Sequence, residues 1–147
     1  MGQKLRWKIF RCNPHATMPT NMPGNAGFDL YFPGLLPIVV SRGQGYTFPL
    51  GLKCSFPDNY VALLWDRSGL GIKGMHRTAG VIDSNYRGEW AVHLINLGKF
   101  DYKINPGDRI AQVIFQKLPT VDYGEVFLES ALGLTQRGAD GFGSTGK

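Results

Sequence analysis

The chain has 147 residues, a net charge of +5 and only two cysteines. That length suits one domain, able to bury roughly 68–70% of its unfolded surface. No apolar run is long enough to span a bilayer, and Met1-Gly2-Gln3-Lys4-Leu5-Arg6-Trp7 lacks the apolar core of a signal peptide. The Met-Gly start does not read as a myristoylation signal, because Arg6 stands where that signal wants a small hydroxyl. Cys12 and Cys54 form no Cys-x-x-Cys pair, so neither a structural metal nor a disulfide framework is expected, and an intracellular, reducing compartment (cytoplasm or nucleus) fits best. The basic excess alone is compatible with nucleic acid, a polyphosphate ligand or solubility.

Evenly spread glycines and prolines separate short runs rich in Val, Ile, Phe, Tyr and Trp, the rhythm of an all-β sandwich or barrel. Leu5 to Phe10 alternates Leu5, Trp7 and Ile9 against Lys4, Arg6 and Lys8, so the three cations line a solvated strand face rather than a nucleic-acid stripe. A proline-rich loop with Pro14, Pro19 and Pro23 follows. Strands are expected at Phe28 to Phe32, Ile38 to Ser41 and Tyr46 to Phe56. Tyr60 to Trp65 is almost wholly apolar, which predicts burial on both faces. Arg67 to Gly74 predicts one helical turn at most. Gly80 to Glu89 reads as a hairpin: Val81 and Ile82 favour a strand, Ser84-Asn85 a tight turn, and Gly88 a close approach of the backbone to a neighbour. Its tip presents Asp83 and Tyr86, and Glu89 to Asn96 is its expected second strand. Phe100 to Ile104 is a further strand. Asn105-Pro106-Gly107-Asp108 reads as a type II turn, and Arg109 to Leu118 as the longest strand. Val121 to Leu128 is a late strand or extended segment. From Leu132 the chain is polar and glycine-rich, with no internal repeat and no second domain.

Several stretches carry chemistry. Arg137 to Lys147 combines unhindered backbone amides with Arg137, Ser144 and Thr145, the parts of a phosphate holder, although on its own such a stretch reads first as a disordered terminus. Residues Gly141 to Lys147 match G-x-x-x-x-G-K, but a P-loop needs a strand before it and a helix after it, so that match is a decoy. Arg67-Ser68-Gly69 offers a second arginine fork, hydroxyl and open backbone. Asp29 follows the flexible Ala26-Gly27 and suits either a turn or the water shell of a hard divalent ion. His15, His76 and His93 show no metal-ligand spacing, and no Ser-His-Asp or Cys-His set stands out.

Five segments then lie in a fixed order: Ala26-Gly27-Phe28-Asp29-Leu30, Arg67-Ser68-Gly69-Leu70, Ala79 to Asp83 with Tyr86-Arg87-Gly88-Glu89, Gly107 to Gln112, and Arg137-Gly138 with Gly141 to Gly146. Together they resemble the trimeric deoxyuridine triphosphatase (dUTPase) family over nearly the whole chain. The resemblance implies a jelly-roll-like β-barrel over residues 1–131, and a flexible glycine-rich arm over 132–147 that closes an active site. It also implies a homotrimer with arm exchange, each site being assembled from three chains. The implied activity converts dUTP to dUMP and pyrophosphate by water attack on the α-phosphate, which limits uracil in DNA and supplies dUMP for thymidylate synthesis.

By the same resemblance, Asp83 positions and activates the water, the backbone of Gly80, Val81 and Ile82 reads uracil, and Tyr86 excludes a ribose 2′-hydroxyl. Arg67, Ser68, Gly69 and Arg137 hold phosphates, as do Phe142, Gly143, Ser144 and Thr145, with Phe142 stacking on the base, and Gln112 supports the phosphates or the water. Asp29 touches the waters of a Mg2+ ion. No membrane and no nucleic-acid partner is implied. The chain departs from the family at Asn85, often Asp there, and in Lys73 to Ala79, which lacks the usual apolar alternation. A deoxycytidine triphosphate deaminase shares the hairpin but carries a catalytic Glu where this chain has His93. A non-catalytic trimer used as a protein-binding module would tend to lose Asp83, Tyr86 or the tail, and all are present.

Overall fold

The computed structural model describes residues 4–141. Its strands are β1 (Lys8–Arg11), β2 (Phe28–Tyr31), β3 (Ile38–Val40), β4 (Gly45–Ser55), β5 (Tyr60–Trp65), β6 (Met75–Thr78), β7 (Val81–Ile82), β8 (Glu89–Asn96), β9 (Tyr102–Ile104) and β10 (Arg109–Lys117), with one helical turn, α1 (Ser68–Gly71). They form two four-stranded sheets, β1-β4-β8-β6 and β2-β10-β5-β7, and a β3-β9 ribbon. This is the jelly-roll-like all-β fold expected. No described helix is long and apolar enough to cross a membrane.

The core lies between the sheets because one side of each strand is apolar. Phe48, Leu50 and Leu52 of β4 and Trp90, Val92 and Leu94 of β8 are buried with Leu30, Leu64 and Val113 of the other sheet. Trp7 stacks on Trp90 at 5.8 Å between centroids, which buries the inner face of the first segment while Lys4, Arg6 and Lys8 stay exposed. Asn96 is the one buried polar side chain among the described residues. Its amide nitrogen donates to the carbonyls of Val40 and Phe100, each at 2.8 Å, and its oxygen accepts from Gly98 N–H at 2.9 Å, so its burial leaves nothing unpaired.

Several expectations need correction. The longest strand is β4, with eleven residues against nine in β10. Trp65 is 47% exposed, so β5 is not buried on both faces; β7 beside it is only two residues long and leaves the end of β5 open. Met75–Thr78 is a strand although its sequence alternates poorly: Met75 is fully buried, and pairing with β8 outweighs weak local preference. Of the two readings of Val121 to Leu128, the strand does not form, and a 3-10 turn follows at Glu129–Leu132. The arms of the Gly80–Glu89 segment do not pair with each other. Val81 and Ile82 pair with Leu63 and Ala62 of β5, whereas β8 pairs with β4 and β6, so the segment crosses from one sheet to the other.

Candidate active site

One group of predicted residues converges on a polar cavity of about 570 Å³ lined by Asn21, Gly27, Asp29, Arg67, Ser68, Arg109 and Gln112 among others. The register of β10 brings them together, since Gln112 lies opposite Asp29 on one side and Trp65 on the other. Arg67, just beyond β5, donates from Nε to Asp29 Oδ1 at 2.8 Å. Arg109 Nη1 reaches Asp29 Oδ2 at 3.4 Å. The side-chain amide of Gln112 donates to the Asp66 carbonyl at 2.9 Å. Gly27 is buried beneath Gln112: a Cβ there would lie 2.5 Å from Gln112 Oε1, so the close packing needs glycine. Ser68 and Gly69 open α1, where first-turn amides have no intrahelical acceptor. The cavity thus presents two guanidinium groups, a hydroxyl and open amides around one carboxylate, a cationic cradle with a fixed shape.

Asp29 is therefore not a turn acid; it sits in β2 and orients two arginines. Arg109 has no role in the sequence reading, although it belongs to the Gly107–Gln112 segment from which only Gln112 is drawn. Asp66 has none either. Its carboxylate accepts from the Arg77 N–H at 2.7 Å and pairs with His76 Nδ1, fixing the chain directly before Arg67.

The second group lies where the sheets part. A smaller cavity of about 190 Å³ is lined by Gly80, Val81, Ile82, Arg77, Ala79, Thr47 and His93 among others. β7 is the edge strand of its sheet. Leu64 N–H donates to Gly80 O at 2.8 Å, which makes Gly80 a bonded position. By antiparallel alternation, the N–H and C=O of Val81 point off the free edge, where a flat ring with matching donors and acceptors can pair. Asp83 follows and is exposed. The turn closes with Tyr86 N–H on Asp83 O at 3.1 Å, and Arg87 Nη1 donates to Ser84 O at 2.6 Å. Tyr86 lies over Gly88, its hydroxyl donating to Glu89 O at 3.1 Å. A Cβ at Gly88 would collide with the Tyr86 ring, so the neighbour predicted for this glycine is that ring. His93 bonds Thr47 through Nδ1 at 2.8 Å, in place of a deaminase carboxylate.

The two groups stand apart within one chain. The β5–β7 register runs from Leu63–Val81 to Ala62–Ile82. Asp83 therefore leaves the sheet at the Tyr60 end of β5, while Arg67 follows the Trp65 end, roughly 16 Å away along the strand. Arg137 lies outside both cavities; its Nε donates to Asp140 O at 2.8 Å within its own turn. Phe142, Gly143, Ser144 and Thr145 lie outside the described residues. Among the described residues no three His, Cys, Asp or Glu side chains come close enough to hold a metal ion.

A family model for dUTPase matches residues 14–146. The deoxyuridine 5′-triphosphate nucleotidohydrolase of Caulobacter vibrioides is 40% identical over 151 aligned positions, covering 99% of this chain and 96% of the relative. That of cowpox virus is 41% identical over 132 positions, covering 89% and 86%. Among solved structures, the Staphylococcus bacteriophage 80alpha dUTPase with dUPNHPP superposes with a TM-score of 0.85 at 23% identity, covering 97% of this chain and 99% of the other. A dUTPase mutant of Staphylococcus aureus phage phi11, described for its coordination of a structural Mg(II) ion, gives a TM-score of 0.75 at 22% identity, covering 85% and 99%. The fold is thus that of the dUTPase-type β-barrels. With relatives at this identity spanning nearly its whole length, the chain belongs to the dUTPase family.

Proposed function

We propose that the chain hydrolyses dUTP to dUMP and pyrophosphate, at sites shared between copies in a homotrimer. The observation that carries this reading is the Gly80–Glu89 crossover between the sheets: a free backbone edge at Val81, a tyrosine clamped over Gly88 and an exposed carboxylate at Asp83, all within one short segment. The β7 edge reads the uracil ring through its backbone, Val81 offering the free N–H and C=O while Gly80 and Ile82 on either side hold the strand to β5. Tyr86 lies under the sugar and leaves no room for a 2′-hydroxyl. Asp83 orients the attacking water and takes its proton as it adds to the α-phosphorus, with pyrophosphate as leaving group. Such general-base help is worth roughly 10²–10⁴-fold. The remaining acceleration comes from positioning the phosphates and neutralising their charge, the two effects on which phosphoryl transfer chiefly depends.

Arg67, Ser68, Gly69, Gln112 and, in addition, Arg109 supply that neutralisation. Because Asp83 and the cradle sit at opposite ends of β5, one chain's hairpin works with another chain's cradle, which supports the homotrimer. In the domain division we favour, residues 1–131 are the barrel and 132–147 an arm that crosses to a neighbouring site, bringing Arg137 to the outer phosphate, Gly143, Ser144 and Thr145 to the phosphates and Phe142 over the base. Mg2+ would fit the cradle at one remove: the donor set is a single carboxylate, suited to accept from the waters of an ion that came with the phosphates. Asp29 would hold it so, and bound magnesium would offset phosphate charge. The activity limits uracil incorporation into DNA and provides dUMP for thymidylate synthesis. Two unbridged cysteines suit a reducing compartment.

Pyrophosphate release from dUTP, dCTP, dTTP and UTP, with and without magnesium, tests the proposal. Turnover is expected for dUTP with magnesium; a chain that releases no pyrophosphate from dUTP, or releases it equally from dCTP, overturns it.

A further inference from the structure

We infer that Arg77 is a positioning residue that holds the base-reading backbone in shape and so sets selectivity for the base; this rests on the role proposed for Gly80–Ile82. Ala79, next to that segment, has φ +64°, the only non-glycine residue with positive φ among the described residues. An alanine does not adopt that conformation unaided, because its Cβ crowds the following carbonyl. Something nearby must hold it, and Arg77 is placed to do so. Its Nη1 donates to Ala79 O at 2.7 Å, a charge-assisted bond on the carbonyl of the strained residue.

The guanidinium is itself held. Its central carbon lies 4.9 Å from the centre of the Trp65 ring. The strand that carries it is fixed too, the Arg77 backbone N–H donating to Asp66 Oδ1 at 2.7 Å. The Arg77 stem is also a wall of the site: a Cβ at Gly80 would stand 3.2 Å from Arg77 Cδ and 3.1 Å from Leu64 O. Gly80 is thus gripped between β5, through its bond to Leu64 N–H, and the arginine. The half-exposed Trp65, which the sequence places in a buried strand, has a use as the platform on which the arginine lies. Arg77 touches neither phosphate nor reacting atoms in this arrangement; it acts through Ala79 and Gly80.

The test compares Arg77→Met, Arg77→Lys, Ala79→Gly and the Arg77→Met/Ala79→Gly double variant, measuring kcat and KM for dUTP and dCTP with the melting temperature of each. Losing a hydrogen bond from a charged group should raise KM for dUTP roughly 10- to 100-fold while kcat changes little, the signature of lost binding before chemistry. The dUTP-to-dCTP preference should narrow by a comparable factor. Arg77→Lys, which keeps a cation over Trp65 but not the fork, should fall between wild type and Arg77→Met. Ala79→Gly should be near neutral alone and should recover part of the lost KM in the Arg77→Met background, because glycine adopts positive φ unaided. Equal losses on both nucleotides, or no recovery in the double variant, overturn the inference. If Arg77→Met does not fold, Arg77→Lys decides: a raised KM and narrowed preference support it, unchanged values overturn it. Asp83→Asn measured alongside separates the two proposals. If Asp83→Asn keeps full turnover, the site assignment fails; if it is inactive while the Arg77 variants match wild type, only the role of Arg77 fails.

Discussion

In the phosphate cradle the working groups are side chains. Asp29, Arg67, Arg109 and Gln112 come from two strands and the turn after a third, and each is tied to a neighbour before any ligand arrives. In the hairpin the working groups are mostly backbone, held by a glycine under a ring and by an edge strand of two residues. The difference follows from the targets. Phosphates are charged and nearly symmetric, so a ring of forked cations suffices. A base differs from its competitors in the order of donors and acceptors along one edge, which a rigid strand edge can match and a long flexible side chain matches poorly. Substitutions in the cradle should therefore weaken every triphosphate alike, and substitutions in the hairpin should change which nucleotide is used.

The largest expected effect is at Asp83. Asp83→Asn should reduce dUTP turnover by roughly 10²–10⁴-fold or more while a non-hydrolysable dUTP analogue still binds; full turnover would break the comparison at its centre. The same variant tests whether the two regions belong to different copies. Mixing Asp83→Asn chains with inactive Arg67→Met chains under conditions that exchange subunits should restore activity, because about a quarter of sites then pair an intact hairpin with an intact cradle in a randomly mixed ring. A site made within one chain would recover nothing.

Next comes Asp29. Its carboxylate and Arg67 are both partly buried, at 24% and 28% side-chain exposure. Asp29→Asn keeps the volume but removes the charge that orients Arg67 and Arg109. A loss of kcat/KM of about tenfold is expected, the lower part of the range for a hydrogen bond between charged groups, with the ranking of dUTP, dCTP and UTP unchanged. A changed ranking would mean that the cradle also reads the base. A smaller effect is expected at Gly88, whose φ needs no glycine but whose missing Cβ makes room for Tyr86. Gly88→Ala should push the ring aside and relax discrimination against UTP in the same direction as Tyr86→Ala. If Tyr86→Ala relaxes it and Gly88→Ala does not, the ring is not held in place by its contact with Gly88.

How much of this is legible in the sequence differs between the two regions in the same way. The hairpin residues are contiguous, so Asp83, Tyr86 and Gly88 announce themselves in ten positions. The cradle is assembled by register, and nothing local at Asp29 or Arg109 says that β2 and β10 will lie side by side. Asp29 on its own therefore reads as a turn acid, and Arg109 as one more exposed strand cation. The strand at Met75–Thr78 is hidden because Arg77 stands where alternation calls for an apolar residue, and it proves to be occupied with Ala79 and Trp65 instead of solvent. The pairing of Val81–Ile82 with β5 is equally hidden, since a turn sequence predicts a hairpin and cannot announce that its arms enter different sheets.

Both regions stand on one core, and Cys54 reports on it. The residue is 4% exposed, opposite Ile9 in the β1–β4 ladder. Burial pushes its thiol up to about 11 from 9.0. In the unfolded chain the thiol ionises near its ordinary value, while the folded chain keeps its proton. Above pH 9 the unfolded state thus binds fewer protons than the native one, and stability must fall as pH rises, by up to about 1.4 kcal/mol per pH unit until the folded thiol also titrates. Below that window the group contributes no slope. Denaturant unfolding of wild type and Cys54→Ala at pH 7.5, 9 and 10.5 isolates the effect, since the two chains differ only at this thiol. The variant, weaker at neutral pH through the lost sulfur, should lose less stability across the alkaline range. Parallel profiles would mean that the thiol meets water, and that the core behind β4 is looser than the packing of Trp7 on Trp90 implies.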